Sequence, residues 1–270
     1  MTSIDTVCQT LAQIAPLRLA ESWDNVGLLV GSRSAEIDSV MTCLTVTPAV
    51  VEEAVKANVG MVVVHHPLPF KPLARITSDT ITGQMLLKLI AAGIAVYSAH
   101  TAFDSAVEGI NQQWAETLQL ADVQPLVPLP ERSPTDSSPS EGAGRLGKLP
   151  QPVTLGELAK RAAAAFGSTI PRLTGNIDAE TSKVAIACGS GGSFLAAARR
   201  RGCDALITGE ANFHTCLEAE SSRIGLVLLG HYWSERFAME RLAEQLQREF
   251  VEVSVWASRI ERDPIVPLPR

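Results

Sequence analysis

The sequence is short of the features that would point to several common classes of protein. Cysteine is sparse: Cys8, Cys43, Cys188, Cys203 and Cys216 make an odd count of five. No two of them are spaced as C-x-x-C, which argues against a disulfide framework and against a cysteine-rich zinc site. Reduced, mostly buried thiols are expected, and with them a reducing, cytoplasmic setting. No apolar run reaches the ~18 residues that suggest a membrane span. Met1 to Ala15 carries Asp5 and has no basic region followed by an apolar run, so it does not read as a signal peptide. Basic runs are also missing. Arg199-Arg200-Arg201 is short, and the net charge is −6, which argues against duplex nucleic acid as a partner. A local basic pocket for a small phosphate ligand stays open.

What is there fits a globular chain. Of 270 residues, 46% are apolar and 19% charged, so a substantial core is expected, in one large domain or two smaller ones. Ile4, Val7, Leu11 and Ile14 recur at helical spacing within Ser3 to Ala15. Val40 to Val46 reads as a strand, and Pro48 opens a helix through Ala57. Met61 to Val64 reads as a strand buried on both faces, ending at His65-His66-Pro67. Helices over Thr82 to Ala92 and Asn111 to Leu120 enclose a strand at Ile94 to Ser98. After a proline- and serine-rich stretch the alternation resumes: helices at Leu155 to Phe166, Ser193 to Arg201, Phe213 to Ser221 and Ser234 to Phe250, and strands at Val184 to Cys188, Ala205 to Thr208, Leu226 to Leu229 and Val251 to Val255. The expectation is an α/β fold with mixed sheets flanked by helices, in two similar lobes. The first would span 1–124, with 251–270 a candidate to return to it. Residues 125–144 would be a linker or loop, and 145–250 the second lobe.

All five histidines lie at or just after expected strand ends, where ligands gather in open α/β sheets. His65-His66 could serve two metal ions or flank one pocket, or could cap a strand as satisfied polar residues. His231 and Glu235 are four apart and would share a helical face, a good imidazole–carboxylate pair for a divalent first-row metal. Equally, Ser234 could cap the helix and Glu235 complement its positive end. Asp104 could bridge two metals, or sit in an Asx turn of a polar loop. His100 could be a further ligand, a supporting group or a proton carrier. Gly189-Ser190-Gly191-Gly192 matches no phosphate-binding signature and reads as a tight turn. Glu210 with His214 could line the same cleft or cap the next helix.

Taken in order, the segment Glu21-Ser22-Trp23-Asp24-Asn25-Val26-Gly27-Leu28, the segment Val64-His65-His66-Pro67-Leu68, the residues Ser98, His100, Thr101, Phe103 and Asp104, the segments Gly144-Arg145-Leu146-Gly147, Gly189 to Ser193 and Leu206-Ile207-Thr208-Gly209-Glu210, and the residues Gly230, His231, Tyr232, Ser234 and Glu235 resemble the Nif-three-like family, the GTP cyclohydrolase 1 type 2 homologues. The resemblance runs nearly end to end. It implies two α/β lobes, a toroidal homohexamer and a dinuclear site. The ligands it implies are His65, His66, Asp104, His231 and Glu235, holding two divalent ions per chain, with zinc, iron and manganese all compatible. His100 matches a further histidine close to the family's metals and is cast as the catalytic proton carrier. Thr45 departs from the family, where aspartate is frequent, and Glu131 to Gly142 has no counterpart. The resulting expectation is a metal-dependent hydrolase acting on a nucleotide-like or phosphorylated small molecule. The alternatives are a metal-binding regulator or metal chaperone without turnover, and an interaction protein whose histidine loops are unrelated.

Overall fold

The computed structural model describes residues 1–129 and 141–267. Its contacts divide the chain into two units, Met1–Phe103 with Arg236–Arg262, and Asp104–Glu235 with the residues from Asp263.

The first unit opens with β1 (Thr2–Ser3) and α1 (Ile4–Ile14). Ile4, Val7, Cys8 and Leu11 are the buried stripe of α1, and the Ser3 hydroxyl caps it by accepting the Thr6 N–H, as a serine N-cap should. Next come β2 (Gly27–Val30), β3 (Glu36–Ile37), β4 (Ser39–Thr45), α2 (Pro48–Lys56), β5 (Met61–His66), α3 (Ile81–Ala91), β6 (Ala95–Ser98) and the start of α4 (His100–Ser105). The last strand of the chain, β13 (Ser254–Ala257), completes a sheet of order β13-β4-β5-β6-β2. Its strands are parallel except β2, which runs antiparallel to β6. Met41, Val62, Val64, Leu86, Leu89 and Val96 belong to one apolar core. The apolar run of β5 is buried, as a strand covered on both faces requires.

The second unit holds the rest of α4, then α5 (Ile110–Thr117), β7 (Ala121–Pro128), β8 (Gly142–Thr154), α6 (Leu155–Phe166), β9 (Arg172–Thr174), β10 (Glu180–Ala187), α7 (Leu195–Arg200), β11 (Ala205–Thr208), α8 (Phe213–Ser221) and β12 (Gly225–Leu228). It ends in α9 (His231–Glu249), within which the division falls after Glu235. Its sheet has the order β7-β8-β10-β11-β12-β9. The three central strands β10, β11 and β12 are parallel, while β8 and β9 flank them antiparallel. This repeats the first unit's plan: an edge strand (β2 or β9), then a β-α-β-α-β run whose last strand pairs with it.

The stretch expected as a linker, 125–144, is strand at both ends, since β7 and β8 pair antiparallel from Ala121↔Lys148 to Pro128↔Gly142. Pro125 and Pro128 obscure this in the sequence. They are tolerated because β7 is the outermost strand, where a missing N–H breaks no central ladder. That pairing places β7 in the second unit, so the contacts divide after Phe103 and not at the expected 124. Residues 130–140, the middle of the expected loop, lie outside the described residues. Among the described residues, no helix is long and apolar enough to cross a membrane.

The second unit buries one cation. Arg145, 1% exposed, donates to the carbonyls of Gly142, Gly144 and Ala106 and to Gln112 Oε1 at 2.6–3.0 Å. Burial lowers its pKa to about 10. The guanidinium therefore ties β8 to the chain just beyond Asp104, with its donors satisfied by oxygens.

Candidate metal centre

In the first unit, β5 extends through both histidines, and the Cα register pairs Thr45 with His66. His65 is buried and His66 half-buried, with ring centroids 5.0 Å apart. The Ser98 hydroxyl donates to the His65 carbonyl at 2.7 Å, and Thr45 Oγ1 lies 2.6 Å from His66 Nδ1. The departure at Thr45 is thus a hydrogen-bond partner of an expected ligand. His100 follows β6 by two residues and starts α4 at φ +26°, an uncommon backbone for a non-glycine residue. Its ring stands 5.0 Å from that of His65 and 5.5 Å from that of His66. One ring nitrogen of each of His65, His66 and His100 falls within 4.8 Å of the others.

Asp24 holds His100 in place. Asp24 Oδ1 is 2.8 Å from His100 Nδ1, and Oδ2 accepts the Thr101 N–H at 3.1 Å and hydroxyl at 2.5 Å. Burial pushes the Asp24 carboxyl up, but these hydrogen bonds and the imidazole outweigh it and bring the pKa down to about 2. An anion here favours Nδ1 of His100 as the hydrogen-bond donor, with Nε2 on the other side of the ring. In the sequence Asp24 figures only within the family-like segment Glu21 to Leu28, with no role of its own.

In the second unit, α9 begins at His231, so His231 and Glu235 do lie one turn apart: Nε2 is 3.1 Å from Glu235 Oε2. Nδ1 of His231 lies 3.0 Å from Glu210 Oε1, which also accepts the Ser190 hydroxyl at 2.6 Å. Glu210, one of two readings in the sequence, is therefore a partner of His231. Asp104 is in helix α4, not in a loop turn. Its Oδ1 accepts the Cys188 thiol at 3.2 Å, and burial, then Asp104 and Glu235, pushes that thiol well up and keeps it protonated. Asn111 bridges the two, donating to the Asp104 carbonyl at 3.0 Å and accepting the Cys188 N–H at 2.8 Å. His214 is exposed on α8 and joins none of the candidate groups among the described residues.

Both units thus offer a donor set suited to a divalent cation. In the first it is three imidazoles; in the second, an imidazole with carboxylates. The second is also shaped for bare carboxylate oxygens. Gly189, at φ +60°, is so close to Glu235 Oε1 that a Cβ would collide with it, and that Cβ would lie 3.3 Å from His231 Nε2. Nδ1 of His66, His100 and His231 already meets Thr45, Asp24 and Glu210 in turn, the arrangement in which a ring offers its other nitrogen to a metal.

The His231 pair sets a pH dependence. Burial lowers the imidazole's pKa, but Glu235 and Glu210 overcome it and raise it to about 9. A folded pKa above the ordinary value near 6.5 contributes stability below about 6.5 that is lost as pH rises through about 9. A cation held by His231 would have to displace this proton at neutral pH, so its binding should release about one proton through His231, and affinity should rise toward pH 9. Calorimetry in buffers of different ionisation heats reads that proton. His231→Ala should abolish it, and a parent protein that releases none at pH 7 rules the account out.

A relative from Clostridium acetobutylicum named GTP cyclohydrolase 1 type 2 homolog is 34% identical over 244 residues, covering 90% of this chain and 89% of its own. A Schizosaccharomyces pombe relative named Protein NIF3 homolog is 34% identical, covering 93% of each. The solved structure of a Bacillus cereus protein related to NIF3 superposes with a TM-score of 0.89 over 99% of each chain at 22% identity, sharing the mixed α/β fold. The model of the Duf34/NIF3 (NGG1p interacting factor 3) family matches residues 2–264, and the chain belongs to that family.

Proposed function

We propose that this protein is a metal-dependent hydrolase that binds about two divalent ions per chain, with His65, His66, Asp104, His231 and Glu235 as ligands. The observation that carries the reading is the set of ring nitrogens of His65, His66 and His100 within 4.8 Å of one another, in a protein that also places Glu235 Oε2 3.1 Å from His231 Nε2. Zinc, iron and manganese all suit such nitrogen and oxygen donors. The chemistry such ions supply is activation of water and polarisation of the substrate's oxygen or carbon. Asp104 and Glu235 offset the cations' charge. Asp24 orients His100, whose Nε2 takes and returns a proton during turnover. The relatives' name, GTP cyclohydrolase 1 type 2 homolog, favours a nucleotide-like or phosphorylated small molecule. The cysteines are free thiols, which supports a reducing, cytoplasmic setting.

Asp104→Asn tests the reading. It keeps the side chain's size and removes its charge, so hydrolysis of the active substrate among GTP and other nucleotides, with zinc, iron or manganese supplied, should fall about a hundredfold or more while the oligomer's mass, expected for a hexamer, is unchanged. If every nucleotide survives intact with each metal, the nucleotide reading fails. A change in metal affinity with no turnover to lose then favours the second reading, a metal-binding regulator or chaperone. That reading draws on the same donors.

A further inference from the structure

Two large aromatic rings stand exposed next to the histidine group of the first unit. Trp23 is 60% exposed and Phe70 47%. Their centroids are 6.0 Å apart at 40°. Each meets His100 edge-on, Trp23 at 6.0 Å and Phe70 at 5.9 Å. Exposing so much aromatic surface is unfavourable, and contiguous exposed apolar surface rimmed by polar groups marks binding sites.

The rings are held from below by polar contacts. Asn25 Nδ2 donates to the Pro69 carbonyl at 2.8 Å, tying the turn that carries Trp23 to the residue before Phe70. Asp24, next to Trp23, binds His100 and Thr101 through both oxygens. The Glu21 N–H donates to Thr101 Oγ1 at 3.0 Å. Both the turn over 21–25 and the chain at Pro69 are therefore anchored beside the histidines, while the two side chains keep much of their surface in solvent.

We propose that Trp23 and Phe70 form a ring-stacking subsite that takes the planar heteroaromatic ring of the ligand and sets it against His100. Two rings offer too little area for a protein partner, for which about 800 Å² per side is usual. They do offer π faces, on which any planar base stacks. Both rings stand within 6.0 Å of His100, the residue assigned the proton transfer, so a ring stacked on them is held beside it. The proposal rests on the hydrolase reading only in calling the bound molecule a substrate; the stacking itself is measured without turnover.

The test uses the metal-loaded, full-length protein with guanosine, adenosine and nicotinamide riboside as probes and ribose 5-phosphate as the ringless control, in equilibrium dialysis. The variants are Trp23→Leu, Phe70→Leu and Trp23→Phe. Both rings are substantially exposed, so the leucine variants should fold, as circular dichroism would verify. Each leucine variant should bind the ring-bearing probes about tenfold more weakly. Trp23→Phe should recover most of the loss, and any ribose 5-phosphate binding should be unchanged throughout. Probes that fail to bind the parent protein, or that bind the leucine variants equally well, overturn the proposal. So does a drop in sedimentation mass in Trp23→Leu with probe binding intact, which would make the patch a contact between copies. Ring-dependent binding without turnover leaves the subsite standing and removes the hydrolase reading. Turnover indifferent to both rings does the reverse.

Discussion

Purified without chelators, the parent protein should carry about two divalent ions per chain, and His66→Ala and His231→Ala should each carry clearly less. His66 belongs to a group of three imidazoles whose nitrogens lie within 4.8 Å of one another. It is also one of the five proposed ligands, and with four left for two ions each falls short of the three or four protein donors at which such ions are usually held. The ring is also fixed in advance by Thr45 Oγ1 at 2.6 Å, so little ordering opposes binding, and that advantage goes with it. In the second unit His231 is the imidazole of a set whose other members are carboxylates. Its loss takes from Glu235, 3% exposed, an imidazole partner 3.1 Å away. His214→Ala is the control. That ring is exposed on α8 and belongs to no candidate group among the described residues, so its removal should leave the metal content untouched. Elemental mass spectrometry on the four proteins decides. A parent without metal, or variants with the parent's content, would return the strand-end histidines to a purely structural role.

Much of this arrangement was legible in the sequence. Where one physical rule dominates, the reading and the structure coincide: Leu155–Phe166 and Phe213–Ser221 are helices over the residues their periodicity implied. β5 is as buried as its apolar run required. The reading slipped where rules compete. Val251 is β-branched but 82% exposed in the turn after α9, and the last strand begins at Ser254 because there it can pair with Ser39 of β4. β7 carries two prolines and was read as loop, because tolerance of proline depends on being an edge strand, which is a tertiary fact. The candidate ligands were visible because each lies at or shortly after a strand end. Most of their supports were not, and Glu210 was open to either a cleft or a helix-cap reading. Asp24 lies 76 residues from His100, Glu210 lies 21 from His231, and Cys188 lies 84 from Asp104. A carboxylate in a turn looks the same in sequence whether it meets water or an imidazole. One signal was available and subtle. After the last strand of each β-α-β-α-β run comes a histidine, with a carboxylate four residues on: His100 and Asp104 after β6, His231 and Glu235 after β12. In both, the imidazole's Nδ1 leans on a carboxylate from another segment. The match between the units is one of topology and not of residue type, so no fixed-period repeat betrays it.

Gly189→Ala should separate the shape of the metal-binding group from the stability of the fold. Gly189 has φ +60°, where an alanine costs about 1–2 kcal/mol. Gly202, in the same unit, has φ +65° with nothing within 4 Å of an added Cβ. Gly202→Ala therefore measures the backbone cost alone. At Gly189 the same methyl would run into Glu235 Oε1, with Glu235 Cδ and His231 Nε2 each 3.3 Å away. The colliding atom is the far end of a side chain, so the fold can yield by swinging the carboxylate aside. The relief comes at the expense of the donor geometry and adds little to the cost in stability. The two metal-free variants should lose similar stability in urea unfolding, about 1–2 kcal/mol each. Metal affinity should be close to the parent's in Gly202→Ala and about tenfold or more weaker in Gly189→Ala, the scale found when a ligand's positioning is disturbed. Equal affinities in the two variants would mean that Glu235 is not a ligand, whatever the metal content of the parent. A far larger stability loss in Gly189→Ala than in Gly202→Ala would mean that the collision is relieved through the backbone, where the Gly189 N–H donates to Ser234 Oγ at 2.9 Å, and that this turn serves the fold first.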